Sequence, residues 1–327
     1  MPFTRKRLSF DEYLNGILAA DRIILGKAIS LLESTLEADR SLALQLIEKT
    51  MPFTGKSKRI GITGVPGAGK STLIEALGRH LTAIGKRVAV LAVDPSSRLT
   101  KGSILGDKTR MEELSADPLA FIRPSPAGTT PGGIAARTRE SILLCEAAGF
   151  EVILVETVGV GQTETAVKDM VDFFLLIMLT GAGDDLQTIK KGILELADGI
   201  VINKADGDNA IIAQTTAKDI RNTLHYFGSD SGLEVVTVSA LQKKGIAELW
   251  AMINAYFGQM GTKGIAENRK QQSLHWMHET IKERLYKDFY ESADLKPLVK
   301  KLETKVLDLQ TAPINAALEL LKIYKSK

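Results

Sequence analysis

A chain of 327 residues, 44% hydrophobic and 25% charged, is long enough to bury a large core and has the composition of an ordinary soluble protein of one large domain with appendages, or two domains. Its 42 basic and 39 acidic residues are intermixed and leave a net charge of +3, with no sign of a polyanion-binding stripe or an acidic tail, so nucleic acid is not implied. A single cysteine, Cys145, excludes an internal disulfide or a thiolate zinc cluster and suits a reducing compartment, and the longest strongly apolar run, Phe173 to Leu179, is too short to span a membrane.

The amino terminus MPFTRKRLSFDEY is basic but runs into Asp11 and Glu12 rather than an apolar stretch, so no secretory signal and a cytoplasmic location are expected. From Ser9 to about Thr50 the pattern is helical. Ser9 with Glu12 makes a capping box, and Ile23, Ile24, Ala28, Leu31 and Leu32 mark one face of a following helix. GKSKR, Gly55 to Arg59, reads as a linker. Beyond it the β-rich runs RIGIT, RVAVLAV, LAFIR, EVILVE, FFLLIML, GIVIN and EVVTVS alternate with helix-length segments. That alternation predicts an α/β fold with a mostly parallel sheet, helices on both faces and ligands at the carboxyl ends of the strands. After about Gly261 the chain becomes helical and charged, and Val299, Leu302, Val306 and Leu309 form an apolar stripe suited to intramolecular core or to a subunit contact. The expected division is 1–55 as a helical extension, 56–260 as the α/β domain and 261–327 as a second helical extension.

GVPGAGKST, Gly64 to Thr72, matches the phosphate-binding loop G-x-x-x-x-G-K-[ST]. It lies between the strand-like KRIGIT and the amphipathic STLIEALGRHLTAIG, which is the strand-loop-helix setting the motif needs. Consecutive backbone N–H groups converge on phosphate in such loops, Gly67 and Gly69 permit the backbone course, and Gly64, Val65, Pro66, Ala68 and Thr72 complete the cradle. Lys70 would place its ammonium at the β- and γ-phosphates and Ser71 would offer a hydroxyl to Mg²⁺.

INKAD, Ile202 to Asp206, follows the strand GIVIN and has the Asn-Lys-x-Asp form. A carboxylate at Asp206 accepts from both the ring N–H and the exocyclic amine of guanine, whereas adenine presents an acceptor in place of that ring proton. Asn203 can bond the base edge and the stem of Lys204 can cover the ring. The run Ser239-Ala240-Leu241 after the next strand suits a backbone N–H contact to the guanine carbonyl. Together these motifs select GTP and GDP over adenine nucleotides.

Three carboxylates lie between the two motifs, at strand ends or in glycine-bearing loops: Asp94 after RVAVLAV, Asp107 in GSILGDKTR and Glu156 at the end of EVILVE. Jointly they suit the positioning of Mg²⁺ and the attacking water, since phosphoryl transfer depends on placement and charge neutralisation. Glu156 and Gly159 stand where many GTPases have Asp-x-x-Gly, and Gln162 is a candidate to orient water. The loop GAGDDLQTIKKG, with Asp184, Asp185, Gln187, Lys190 and Lys191, either closes over nucleotide or a partner, or turns into a helix.

With these motifs in order, joined by AVDPSS, GSILGDKTRM, FIRPSP, ILLCEAAG, ETVGVGQ, GDDLQ and IKKG, the chain resembles the MeaB/ArgK family, the GTPases associated with methylmalonyl-CoA mutase. The likeness covers essentially the whole chain. It implies functional roles for Lys70, Asp94, Asp107, Glu156, Asn203, Lys204 and Asp206, and a loop at Gly181 to Lys191 that relays nucleotide state to the mutase. It further implies a homodimer formed through helical extensions and weak GTP hydrolysis raised by the partner. The implied role is a chaperone that gates adenosylcobalamin loading onto a cobalamin-dependent acyl-CoA mutase, with a cobalamin adenosyltransferase as a further partner. The alternative is a P-loop kinase or transport-related NTPase phosphorylating a small molecule or protein, which has no need of a guanine reader. A nickel chaperone would need a His or Cys cluster, whereas His80, His225, His275 and His278 are dispersed.

Overall fold

In the computed structural model, which describes residues 7–93, 111–123, 131–157, 164–180, 191–226 and 233–326 (side chains of 131–134, 191 and 225–226 excepted), the seven apolar runs are strands. These are β1 Lys58–Gly64, β2 Val88–Val93, β3 Ala120–Arg123, β4 Val152–Thr157, β5 Phe173–Leu179, β6 Gly199–Asn203 and β7 Glu234–Thr237. They form one sheet in the order β3-β2-β4-β1-β5-β6-β7, and every pairing is parallel. The central strands read as continuous apolar runs rather than alternating ones because helices cover both faces; β4 is buried at every position.

The helices are α1 Phe10–Leu18, α2 Arg22–Glu33, α3 Glu37–Thr50, α4 Lys70–Ala83, α5 Glu112–Ala116, α6 Pro131–Ala147, α7 Glu164–Lys168, α8 Lys191–Leu196, α9 Asn209–Tyr226, α10 Ile246–Glu291, α11 Leu295–Leu307 and α12 Pro313–Lys325. Among these described residues none is long and apolar enough to cross a membrane. The chain divides into two compact units, Met1–Arg269 and Lys270–Lys327.

In the first unit one sheet face packs against α1 to α3, α6 and α7, where Ile17, Leu25, Ile29, Leu46 and Val167 join Leu91, Val155 and Phe174. The opposite face packs against α4 and the start of α10, through Leu73, Leu77, Leu249 and Ile253 on Ile62, Leu154 and Leu175. Beyond β5, α9 covers β6 and β7. Thus β1 hands the chain to α4 on one face and β4 hands it to α7 on the other, which opens a crevice at their carboxyl ends.

The capping box at Ser9 forms in both directions, and Asp21 caps α2 by accepting from the N–H groups of Ile23 and Ile24. Ile23 departs from the expected buried face: it lies in the first turn of α2 and is 72% exposed, while Leu25, Ala28, Ile29, Leu31 and Leu32 face the core. Residues 55–59 are also not a slack connector. The Gly55 N–H and the Ser57 hydroxyl donate to the Glu146 carboxylate at 2.9 and 2.5 Å, and Lys58 already opens β1.

In the second unit α11 and α12 bury Leu295, Leu302 and Ala316, and the ring of Phe289 meets that of Tyr324 at 5.3 Å. Val299 and Val306 are half-buried, but Leu309 is 92% exposed because it lies past the end of α11 with φ +56°, where the helical spacing no longer applies.

Candidate functional site

β1 delivers the chain to the crevice at Gly64, and α4 begins at Lys70, so the intervening loop sits over a helix N-terminus. Gly67 and Gly69 have φ of +81° and +87°, the left-handed conformation that glycine adopts without strain. Gly69 is constrained a second time: a Cβ there would stand 2.6 Å from the Asn203 amide nitrogen. Val65, Pro66, Gly67 and Thr72 face solvent, whereas Ala68 is fully buried and fixes the loop to the core.

Lys70 is buried, and its ammonium donates to the carbonyls of Gly64 at 2.8 Å and Val65 at 3.2 Å. Burial pulls its pKa below the ordinary lysine range, while the carboxylates of Glu156 and Glu164 oppose that shift. The Ser71 hydroxyl donates to Glu156 Oε1 at 3.1 Å, so a hydroxyl from the first turn of α4 and a buried carboxylate from β4 meet at the helix start. Both are hard oxygen donors of the kind that hold a divalent cation beside phosphate. Glu164, at the start of α7, was not marked by any motif, yet it is only 4% exposed and bears electrostatically on Lys70. Burial inside a polar stretch left no periodic signal from which to find it.

At the other end of the site, Asn203 ends β6 and is buried. Its amide nitrogen donates to the Ala68 carbonyl at 2.8 Å, and its amide oxygen accepts from the Ala240 N–H at 3.2 Å. The residue read as a contact to the base edge therefore braces the phosphate loop against the Ser239-Ala240-Leu241 segment. Lys204 follows at φ +62°, exposed, and the Ala205 N–H returns to the Val238 carbonyl, which places Asp206 beside the buried Ser239. The Ser239 hydroxyl donates to Asp206 Oδ2 at 2.6 Å, while its oxygen accepts from the Gln242 N–H. One carboxylate oxygen is thereby fixed. Leu241 is 77% exposed beside these polar groups.

The structure thus brings together Gly64 to Thr72, Glu156, Asn203, Lys204, Asp206, Ser239, Ala240 and Leu241 along the carboxyl ends of β4, β1 and β6. Asp94, Asp107, Gly159, Gln162, Asp184, Asp185, Gln187 and Lys190 lie outside the described residues, as does the side chain of Lys191. Among the described residues no group of three or more His, Cys, Asp or Glu is arranged to hold a metal.

A family model described as methylmalonyl Co-A mutase-associated GTPase MeaB matches residues 25–294. GTPase ArgK of Escherichia coli is 45% identical over 287 residues, covering 86% of this chain and 87% of that protein. The mitochondrial methylmalonic aciduria type A homolog of Mus musculus is 41% identical over 97% of this chain and 80% of its own length. A crystal structure of a LAO/AO transport system kinase superposes with a TM-score of 0.75 at 35% identity, covering 97% of both chains. With a phosphate loop, a guanine-type base motif and this likeness over nearly its full length, the chain belongs to the MeaB family of methylmalonyl-CoA mutase-associated GTPases.

Proposed function

We propose that this GTPase works as a nucleotide-gated chaperone: it admits adenosylcobalamin to a cobalamin-dependent acyl-CoA mutase of the methylmalonyl-CoA class and protects or reactivates that enzyme. The observation that carries the reading is the continuous brace from the base motif to the phosphate loop, Asp206–Ser239 and Ala240–Asn203–Ala68, in a chain of a family described as mutase-associated. Nucleotide identity and phosphate state are then sensed by one rigid frame.

Mg²⁺ is the metal this reading requires. Ser71 and Glu156 would hold it, with Asp94 and Asp107 completing the acidic set; when bound it neutralises charge on the phosphates. Lys70 binds the β- and γ-phosphates in place of the Gly64 and Val65 carbonyls, a charge-assisted exchange of weak acceptors for strong ones. Gly159 and Gln162 respond to the γ-phosphate, and 181–191 relays the outcome to the mutase. Intrinsic hydrolysis is slow and the partner raises it.

The same reading takes residues 1–55 and 261–327 as helical extensions flanking a GTPase domain at 56–260, with a homodimer formed through the second extension. The exposed row Leu274, Met277, Ile281 and Leu285 supports that interface. Cytoplasmic residence and a cobalamin adenosyltransferase as donor complete the proposal. The test is retention of this protein on an immobilised cobalamin-dependent acyl-CoA mutase with GTP, GDP or no nucleotide, together with cofactor transfer. Nucleotide-dependent retention is expected; retention and transfer that ignore nucleotide would overturn it. Phosphate transfer from GTP to a small molecule rather than to water would favour the kinase alternative.

A further inference from the structure

At the root of the phosphate loop two threonines to which no motif assigns a role share a hydrogen bond. The Thr157 hydroxyl donates to the Thr63 hydroxyl oxygen at 2.8 Å, and the two residues are 0% and 1% exposed. Their place in the sheet is informative. The register of β1 with β4 ends at Ile62 opposite Glu156. Past that point β1 continues only beside β5, to Gly64 opposite Ile177, and β4 continues only beside β2, to Val93 opposite Thr157. The two strands part where the crevice opens, and the hydroxyl bond spans the seam where backbone pairing has stopped.

What lies on either side of that bond gives it a job. Thr63 precedes Gly64 and the phosphate loop, and Thr157 follows Glu156, whose carboxylate accepts from Ser71. Because successive side chains alternate across a sheet, Glu156 and Thr157 face opposite sides, and fixing one sets the height of the other. The layer below is closely packed: a Cβ on Gly61 would meet Phe174 at 2.7 Å, Val167 at 3.0 Å and Val171 at 3.1 Å. The pair therefore stands on a closely packed base, and its bond links the root of the phosphate loop to the end of β4.

We propose that the Thr63–Thr157 hydroxyl pair is a positioning element that holds Glu156 against Ser71 across the parted β1–β4 seam, so that divalent-cation binding and the phosphate loop act together. The proposal rests on the reading of Ser71 and Glu156 as Mg²⁺ ligands. Thr157→Val and Thr63→Val each remove the bond at nearly constant shape.

The experiment is a titration of Mg²⁺ against binding of a fluorescent, slowly hydrolysed GTP analogue, with steady-state hydrolysis measured alongside. Each valine variant is expected to raise the Mg²⁺ half-saturation about tenfold, the worth of one buried hydrogen bond, while affinity for GDP in chelator stays unchanged. At saturating Mg²⁺ kcat falls and KM for GTP holds. Thr157→Ser, which keeps the hydroxyl, restores the wild-type Mg²⁺ curve, and the double valine variant matches either single one because the same bond is lost once. If Thr157→Val does not fold, Thr63→Val and Thr157→Ser carry the comparison. A wild-type Mg²⁺ curve in a folded valine variant, or a serine variant that behaves as valine does, overturns the coupling alone. Mg²⁺-independent nucleotide binding by the wild-type protein overturns the metal reading and the coupling with it.

Discussion

The two ends of β1 are built on opposite rules. At the amino end the charges are closed on one another. Arg59 donates to Glu146 through Nε at 2.9 Å and Nη2 at 2.8 Å, and Arg269 donates to both oxygens of Asp172 at 2.7 and 2.6 Å and to the Gly55 and Ser57 carbonyls at 2.8 and 2.6 Å. Burial alone would raise the Glu146 carboxyl, but hydrogen bonds from Arg59 and Ser57 and the charges of Arg59 and Arg269 hold it below its ordinary value. At the carboxyl end the Lys70 ammonium donates to neutral carbonyls of its own loop within the field of the Glu156 and Glu164 carboxylates, and Glu156 receives the Ser71 hydroxyl at 3.1 Å. The difference teaches how each end uses its charges: one closes arginines on carboxylates within the chain, and the other sets a lysine and a carboxylate at the crevice where the proposed function puts nucleotide and metal.

That contrast predicts which changes hurt function and which hurt the fold. Asp206→Ala should abolish base discrimination, lowering the preference for GTP over other nucleoside triphosphates by about 10⁴-fold, as read by competition titration. Its thermal midpoint should stay near wild type. Arg269→Ala should do the reverse, costing about 3–5 kcal/mol by leaving the fully buried Asp172 carboxylate uncompensated, with nucleotide affinity of the remaining folded fraction intact. Denaturant unfolding with and without GDP separates the two effects. Lys70→Ala should cut hydrolysis roughly 10²- to 10³-fold, the scale of one lost charge-stabilising donor, without loss of stability. Phosphate release and a melting curve on the same sample test it.

Proton linkage sharpens the comparison further. Because the folded-state value of Glu146 is depressed, its stabilisation is present above the ordinary carboxylate range and is lost as pH falls through the lowered value. Glu146→Gln should flatten the acid limb of the stability curve. Glu140 on α6 has the opposite sign: burial pushes its carboxyl up to about 7 against the pull of Arg40 and Arg137. The folded chain holds that proton more tightly, so stability declines as pH rises from the usual carboxylate range through about 7. Glu140→Gln should remove this slope, a change of about 3 kcal/mol at most, visible in melting temperature against pH.

The parts of this architecture that depend on local chemistry were readable from the chain. Strands buried on both faces announce themselves as runs such as VILVE and FFLLIML, and the phosphate loop needs its glycines in order. What could not be read depends on residues far apart in sequence. Arg59, Glu146, Asp172 and Arg269 carry no shared motif, so GKSKR looked like a connector until the fold brought Glu146 to it. The direction of the Asn203 side chain depends on the approach of Ala68 and Ala240, neither of them its neighbour. Ile23 shows the remaining error: five apolar residues suggest a face, but the first turn of a helix can point away from the core that the later turns meet.

The grip of Asn203 on the Ala68 carbonyl, with Gly69 leaving no room for a side chain beside it, has a consequence for redesign. An engineer who wants the protein to accept an unnatural purine has to edit Asp206 and spare Asn203, because a substitution at the asparagine would loosen the phosphate cradle together with the base pocket and confuse altered taste with simple weakness.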